Sequence, residues 1–294
     1  MRVATRGSEL ALLQTQLVNS LLGIEAEVVV VRTTGEVKAE MPIHEIGGQG
    51  VFVKELQQAV LDGRADFAVH SAKDLPAETP PGLVIAAVPR RGEVRDALVG
   101  KTLNDIPNGG LVGTGSVRRR AQLLALRPDL KFGELRGNIG TRIKKAANFD
   151  AIVLAAVALE RLNLDENIAE MLSVEMLLPQ VAQGALAVEC RADDDELIKK
   201  LQKIEHESSR MAIDAERSFL LELGGACDYP EGALATVDAG GVISLTGLIS
   251  SLDGSTVLRY SASGSDAQKL GIEVAQYLLN DAGGKKILDA LSSK

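Results

Sequence analysis

Met1-Arg2-Val3-Ala4-Thr5-Arg6-Gly7-Ser8, followed without a break by a helical pattern over 9–22, is a strand that turns straight into a helix. Ser8 supplies the side-chain oxygen that a helix N-terminus needs, and Gly23 marks the stop. Leu10, Leu13, Leu17 and Leu21 recur at helical spacing and predict the packed face. The same grammar repeats downstream. Short apolar or β-branched runs at 28–31, 67–69, 83–87, 111–112 and 151–155 are bounded by Gly, Pro and Asp, as buried strands are. Helical patterns over 51–61 and after Ser116 lie between them. Strands alternating with helices predict an α/β architecture with mostly parallel sheets.

The opening turn also carries an arginine, and two others resemble it: Gly113-Thr114-Gly115-Ser116-Val117-Arg118-Arg119-Arg120 and Leu135-Arg136-Gly137-Asn138-Ile139-Gly140-Thr141-Arg142. A cation in the first turn of a helix opposes the macrodipole, so helix stability alone favours acids there. The same place suits a bound anion, because free backbone N–H groups point at it. Three such turns predict a pocket for several carboxylates or phosphates. A surface salt bridge is the better explanation of any single one of these arginines, and it is their recurrence that favours the pocket.

Two polar passages, 89–96 and 178–184, read as crossovers between α/β lobes. They divide the chain into a discontinuous first lobe (1–89 and 184–205), a second lobe (90–183) and a C-terminal domain (206–294). Two hinged lobes of this kind are periplasmic-binding-protein-like, with the ligand expected in the cleft. After residue 206 the pattern changes: a helix over 207–223 precedes strand-like runs at 233–237, 242–249 and 256–261. Ala239-Gly240-Gly241 and Asp253-Gly254 are hairpin turns, so this part is an α+β domain with a three-stranded antiparallel sheet.

With 294 residues, 46% of them apolar, the chain can bury substantial cores. A net charge of −8, three aromatic residues in every hundred and no Trp argue against a nucleic-acid binder. No stretch reads as a signal peptide or a membrane span, which predicts a cytoplasmic protein without a membrane partner. Cys190 and Cys227 are expected to be free thiols there. Neither they nor the scattered His44, His70 and His206 have metal-ligand spacing, so no metal is expected.

Chemistry concentrates in two places. His70-Ser71-Ala72-Lys73-Asp74-Leu75-Pro76 follows a buried strand, where an adjacent Lys and Asp could bind an anion and steady a cation or move a proton. A solvated ion pair in a turn has the same composition. Leu223-Gly224-Gly225-Ala226-Cys227-Asp228-Tyr229-Pro230 is a glycine-rich loop that could bring a thiolate to an electrophile, whereas Cys190, inside an apolar run, reads as a buried thiol. Ile46-Gly47-Gly48-Gln49-Gly50 has glycines enough for a lid.

These segments, with Phe52-Val53-Lys54-Glu55-Leu56, Gln183-Gly184-Ala185 and Glu189-Cys190-Arg191, resemble the porphobilinogen deaminases, or hydroxymethylbilane synthases, over nearly the whole chain. The resemblance implies a monomeric transferase that joins four porphobilinogen molecules head to tail, with loss of ammonia, into hydroxymethylbilane. It implies a dipyrromethane cofactor held by a thioether to Cys227, and Asp74 as the catalytic carboxylate. It further implies that Lys73, Ser116, Arg118, Arg119 and Gln183 hold the cofactor, and that Arg6, Ser8, Arg136, Arg142 and Arg161 serve the substrate. Ala226, Gln49 and Gly115 depart from the family's usual residues at a cofactor-loop glycine, a lid lysine and a serine. A solute-binding protein that holds small anions without chemistry is the competing reading. Cys227 and the third domain count against it.

Overall fold

The structure, a computed structural model, describes residues 1–33, 50, 53–224 and 229–292. Its elements, in chain order, begin with β1 (Arg2–Thr5), α1 (Glu9–Leu22), β2 (Glu27–Val30), α2 (Lys54–Leu61), β3 (Phe67–Ser71) and β4 (Leu83–Ala87). Next come β5 (Asp96–Gly100), β6 (Leu111–Gly113), α3 (Val117–Leu126), β7 (Lys131–Gly133), α4 (Ile139–Lys145), β8 (Ala151–Ala155), α5 (Ala156–Arg161) and β9 (Ile168–Met171). The chain continues through β10 (Leu186–Arg191), α6 (Asp195–Leu201), α7 (Glu207–Glu222), β11 (Glu231–Val237), β12 (Ile243–Ser250), β13 (Val257–Gly264), α8 (Ala267–Gln276) and α9 (Gly284–Ser292). They gather into two compact units, Met1–Gly92 with Gly184–Arg210, and Glu93–Gln183 with Met211–Lys294.

Each unit contains a five-stranded sheet, and the two sheets share one plan. The orders are β2-β1-β3-β10-β4 and β7-β6-β8-β5-β9. In the first, β10 pairs antiparallel with both β3 and β4, so the other four strands run together. In the second, β5 is the reversed strand between β8 and β9. The reversed strand is in each case the one that follows a crossover. Reversal has a consequence for chemistry. It puts the head of β5 level with the tail of β8 (Asp96 opposite Ala155), and the head of β10 level with the tail of β3 (Leu186 opposite Ser71).

Both faces of each sheet are covered, which is why these strands read as continuous apolar runs. In the first unit Val3, Phe67, Val69, Val188 and Cys190 face one core with Val18, Leu197 and Leu201, while Ala4 and Ala68 face another with Leu56 and Val60. In the second, Leu98, Val112 and Val153 pack with Leu123, and Ala97, Ile152 and Leu154 with Leu159. Each fully buried large side chain contributes about 1.5–3 kcal/mol.

The packed face of α1 differs from the leucine stripe. Ala11, Gln14, Thr15 and Val18 are buried, while Leu17 and Leu21 are exposed. Polar bonding explains the choice of face: Thr5 Oγ1 donates to Ala11 O, and Gln14 bonds Ser71 on β3. Small Ala11 and Thr15 then let helix and sheet approach closely.

The three-stranded sheet, β11-β12-β13, is antiparallel throughout and packs against α7 and α8. Gly247 is needed there, because a side chain would strike Phe219 and Val274. Glu216 of α7 is fully buried and accepts from the backbone N–H groups of Ala182 and Ala235. Glu231, at the head of β11, is buried with its Oε2 unpartnered among the described residues, and burial pushes its carboxyl well above the ordinary value of 4.5. The folded protein therefore retains a proton that the unfolded chain releases, and stability falls as pH rises from 4.5 toward the folded value. Glu231→Gln should accordingly raise Tm at pH 8, with the gain vanishing as pH is lowered to 4. An equal gain at both pH values in thermal melts would contradict a neutral buried acid.

Candidate active site

In the first unit, β1 delivers Arg6 and Ser8 to the start of α1. Ser8 Oγ accepts from Ala11 N at 3.4 Å and so caps the helix. Strand β3 ends in a single 3-10 turn, Ala72–Asp74, that carries Lys73 and Asp74. Three contacts hold that turn: Ala72 N donates to Ala185 O at 3.0 Å, Ser71 exchanges hydrogen bonds with Gln14, and Leu75 is buried. Arg6 Nη1 lies 3.5 Å from Asp74 Oδ2, with side chains 24% and 28% exposed. A carboxylate so placed is rigid in its backbone, reachable by a ligand and paired with a cation. It can take a hydrogen bond from a cationic or N–H-bearing group. Below the turn, His70, Glu189 and Gln57 form a buried polar cluster, with Glu189 reached by His70 Nε2 at 3.2 Å and by Gln57 Nε2 at 3.1 Å.

In the second unit, Ser116 caps α3 through Arg119 N, and Arg118 and Arg119 stand in its first turn. Both are buried, and both bond the same carboxylate: Arg118 Nη2 reaches Asp96 Oδ2 at 2.7 Å, and Arg119 Nη2 reaches Oδ1 at 2.6 Å. Gln183 Nε2 adds a third bond to Asp96 at 2.9 Å. The second fork nitrogen of each arginine goes to a backbone carbonyl, Leu178 O for Arg118 and Val153 O for Arg119. Burial alone would raise the carboxyl of Asp96, but Arg119 and Arg118 hold it far below the usual carboxylate range. Gly232 of β11 lies against this cluster, where a Cβ would come within 2.8 Å of Pro179 O and 3.3 Å of Arg118 Cδ.

The remaining arginines of this unit stand apart from Asp96's bonds. Arg136 follows β7 with its Nε 3.6 Å from Glu134. Arg142 donates through Nε to Gly137 O at 2.7 Å, which the positive φ of Gly137 makes available. It falls in the last turn of α4 and not the first, where a cation suits the helix dipole, so the conflict inferred from the third turn does not arise. Arg161 closes α5, and burial lowers its guanidinium despite the neighbouring Glu160.

The sequence reading thus singled out Arg118, Arg119 and Gln183 but missed Asp96, which joins them. A signal was present: Asp96 opens the apolar run Ala97-Leu98-Val99, and burying an ionised carboxylate there is costly unless it is paired. Cys227, Ala226 and Gln49 lie outside the described residues. Cys190 is buried, and burial, reinforced by Asp194, pushes its thiol up to about 11, so it is no nucleophile. No helix of the described residues is long and apolar enough to cross a membrane.

Two family profiles match the chain: "Porphobilinogen deaminase, dipyromethane cofactor binding domain" over residues 1–199, and "Porphobilinogen deaminase, C-terminal domain" over 211–280. A porphobilinogen deaminase of Brevibacillus brevis is 47% identical over 99% of this chain and 97% of its own length. One of Roseiflexus castenholzii is 46% identical over 98% of each. Among solved structures, a Salmonella typhimurium periplasmic binding protein with high arginine specificity is 12% identical, covers 71% of this chain and 93% of its own, and has a TM-score of 0.37.

Proposed function

The chain belongs to the porphobilinogen deaminase family, and from that premise we propose how its residues join four porphobilinogen molecules head to tail, with loss of ammonia, into hydroxymethylbilane. The observation that carries the assignment of roles is the arginine pair: two buried guanidiniums share one carboxylate. Each porphobilinogen brings an acetate and a propionate, so a growing chain accumulates negative charge that only several cations can offset. Arginine forks match carboxylates in geometry as well as in charge.

The residues present fit the dipyrromethane, which also carries carboxylates. The Nε atoms of Arg118 and Arg119 are buried without a hydrogen-bond partner among the described residues, where two guanidiniums share the one carboxylate of Asp96. Arg118, Arg119, Ser116, Lys73 and Gln183 would hold it, with Cys227 as the covalent anchor in a C-terminal attachment domain. When bound, it supplies the free pyrrole carbon onto which the first substrate unit is joined.

Arg6, Ser8, Arg136, Arg142 and Arg161 take the acetate and propionate groups of incoming substrate. Asp74 accepts the substrate's pyrrole N–H on a carboxylate oxygen. As the amine of the aminomethyl group leaves as ammonia, its methylene carbon stays on the ring, positive charge spreads over that carbon and the pyrrole, and the fixed carboxylate of Asp74 stabilises it. The same oxygen can take up the proton released when the new carbon–carbon bond restores the aromatic ring. Arg6, 3.5 Å from Asp74, helps orient that carboxylate.

The reading includes a cytoplasmic monomer that takes porphobilinogen and binds no nucleic acid. The net charge of −8 supports the last point, and the free thiol of Cys190 suits a reducing compartment. Incubating the full-length chain with porphobilinogen should release one ammonia for each pyrrole consumed. Binding of porphobilinogen without ammonia release would instead favour the solute-binding reading.

A further inference from the structure

We propose that Asp96 is the positioning residue of the arginine pair: it fixes the direction of both guanidinium forks and cancels one of their two charges. The pair is thereby left with one uncompensated positive charge to offer a carboxylate of the cofactor. The inference rests on the reading that Arg118 and Arg119 hold the dipyrromethane.

The geometry argues for it in three steps. Adjacent guanidiniums repel, and neither can shed its proton, so a fixed anion is required to hold them side by side in a buried place. Asp96 is that anion: it is fully buried, and its two oxygens are divided between the arginines, Oδ2 to Arg118 and Oδ1 to Arg119. Each guanidinium is then anchored at two points, because its other fork nitrogen donates to Leu178 O or Val153 O. Two anchors fix a planar group in orientation as well as in place.

Topology explains why the residue is found here. The carboxyl ends of parallel strands are where such sheets place ligand-binding groups. Asp96 is the first residue of β5, and only because β5 is reversed does that first residue sit level with Ala155, the last of β8. Gln183 completes the arrangement by donating from Nε2 to both Asp96 Oδ1 and Val94 O, which ties the carboxylate to the backbone just before its strand. The length of the side chain matters in this arrangement, since one carboxylate has to bridge two forks that are themselves tied to backbone.

The test follows the covalent loading of cofactor by intact mass, using full-length chain prepared without it and then incubated with porphobilinogen. Asp96→Glu keeps the charge but moves the carboxylate by one methylene. It should retain a cooperative thermal transition and load about tenfold more slowly than the parent, as expected when a charge-assisted bond is misdirected. Asp96→Ala should load more slowly still, and added formate, the carboxylate removed by the substitution, should restore part of the rate. A purely structural role would give no such rescue. Parental loading by either folded variant overturns the proposal, and if Asp96→Ala does not fold, Asp96→Glu decides alone. Arg118→Gln and Arg119→Gln separate this inference from the reading beneath it. Parental loading in both would remove the arginine pair from the cofactor site. Slow loading in both, with parental loading in Asp96→Glu, would sink only the role of Asp96.

Discussion

Asp74→Ala should fold as the parent does and consume porphobilinogen at least about a thousandfold more slowly, the combined scale of a lost proton-transfer group and a lost electrostatic stabiliser. The expectation of normal folding rests on exposure. Asp74 is 28% exposed and its pair with Arg6 spans 3.5 Å, and partly exposed pairs of this kind contribute at most about 1 kcal/mol. The turn that carries Asp74 is held by Ser71, Ala72 and Leu75, none of which is touched by the substitution. Asp74→Asn is the sharper companion, because it keeps size and an acceptor oxygen while removing the charge. If charge at the pyrrole is what matters, Asn should be nearly as impaired as Ala. A Tm within a few degrees of the parent, together with near-normal ammonia release in either variant, would show that the carboxylate is not the catalytic group.

Cys227→Ser should abolish both the covalent cofactor and sustained turnover. A serine hydroxyl is almost wholly protonated at neutral pH, whereas a thiol ionises readily and its thiolate is far more nucleophilic. The other thiol offers no substitute: Cys190 is buried in the core beside Val188 and Phe67, and burial pushes it up to about 11. Without a tether, a primer assembled in the site would leave with the solvent, and elongation could not be counted from a fixed start. Persisting parental turnover in Cys227→Ser would mean that the anchor lies elsewhere.

How far the sequence went is best seen in particular residues. Strands such as β8 were legible because all five of its residues are buried and apolar. The cap at Ser8 was legible because N-cap chemistry is local, and its side chain does accept from Ala11 N, as that of Ser116 does from Arg119 N. The packed face of α1 was not, because its exposed leucines mimic a core stripe while Gln14 and Thr15 carry the buried contacts. Strands β7 and β9, with three and four residues, are too short to show a period. Asp96 was hidden for a deeper reason. Its apolar neighbours Ala97-Leu98-Val99 mark it as an acid in need of a partner, but strand reversal and residues more than twenty positions away decide which partner that is. Lys73 and Asp74 stood out only because a whole segment, His70-Ser71-Ala72-Lys73-Asp74-Leu75-Pro76, carried them together.

A pyrrole primer tethered to this chain must appear as added mass. Intact-mass measurement of the purified full-length protein, from a host able to make porphobilinogen, followed by peptide mapping, tests it most directly. The expected result is a covalent surplus equal to one dipyrromethane, located on the peptide that contains Cys227. An unmodified mass, or a surplus on any other peptide, would contradict it.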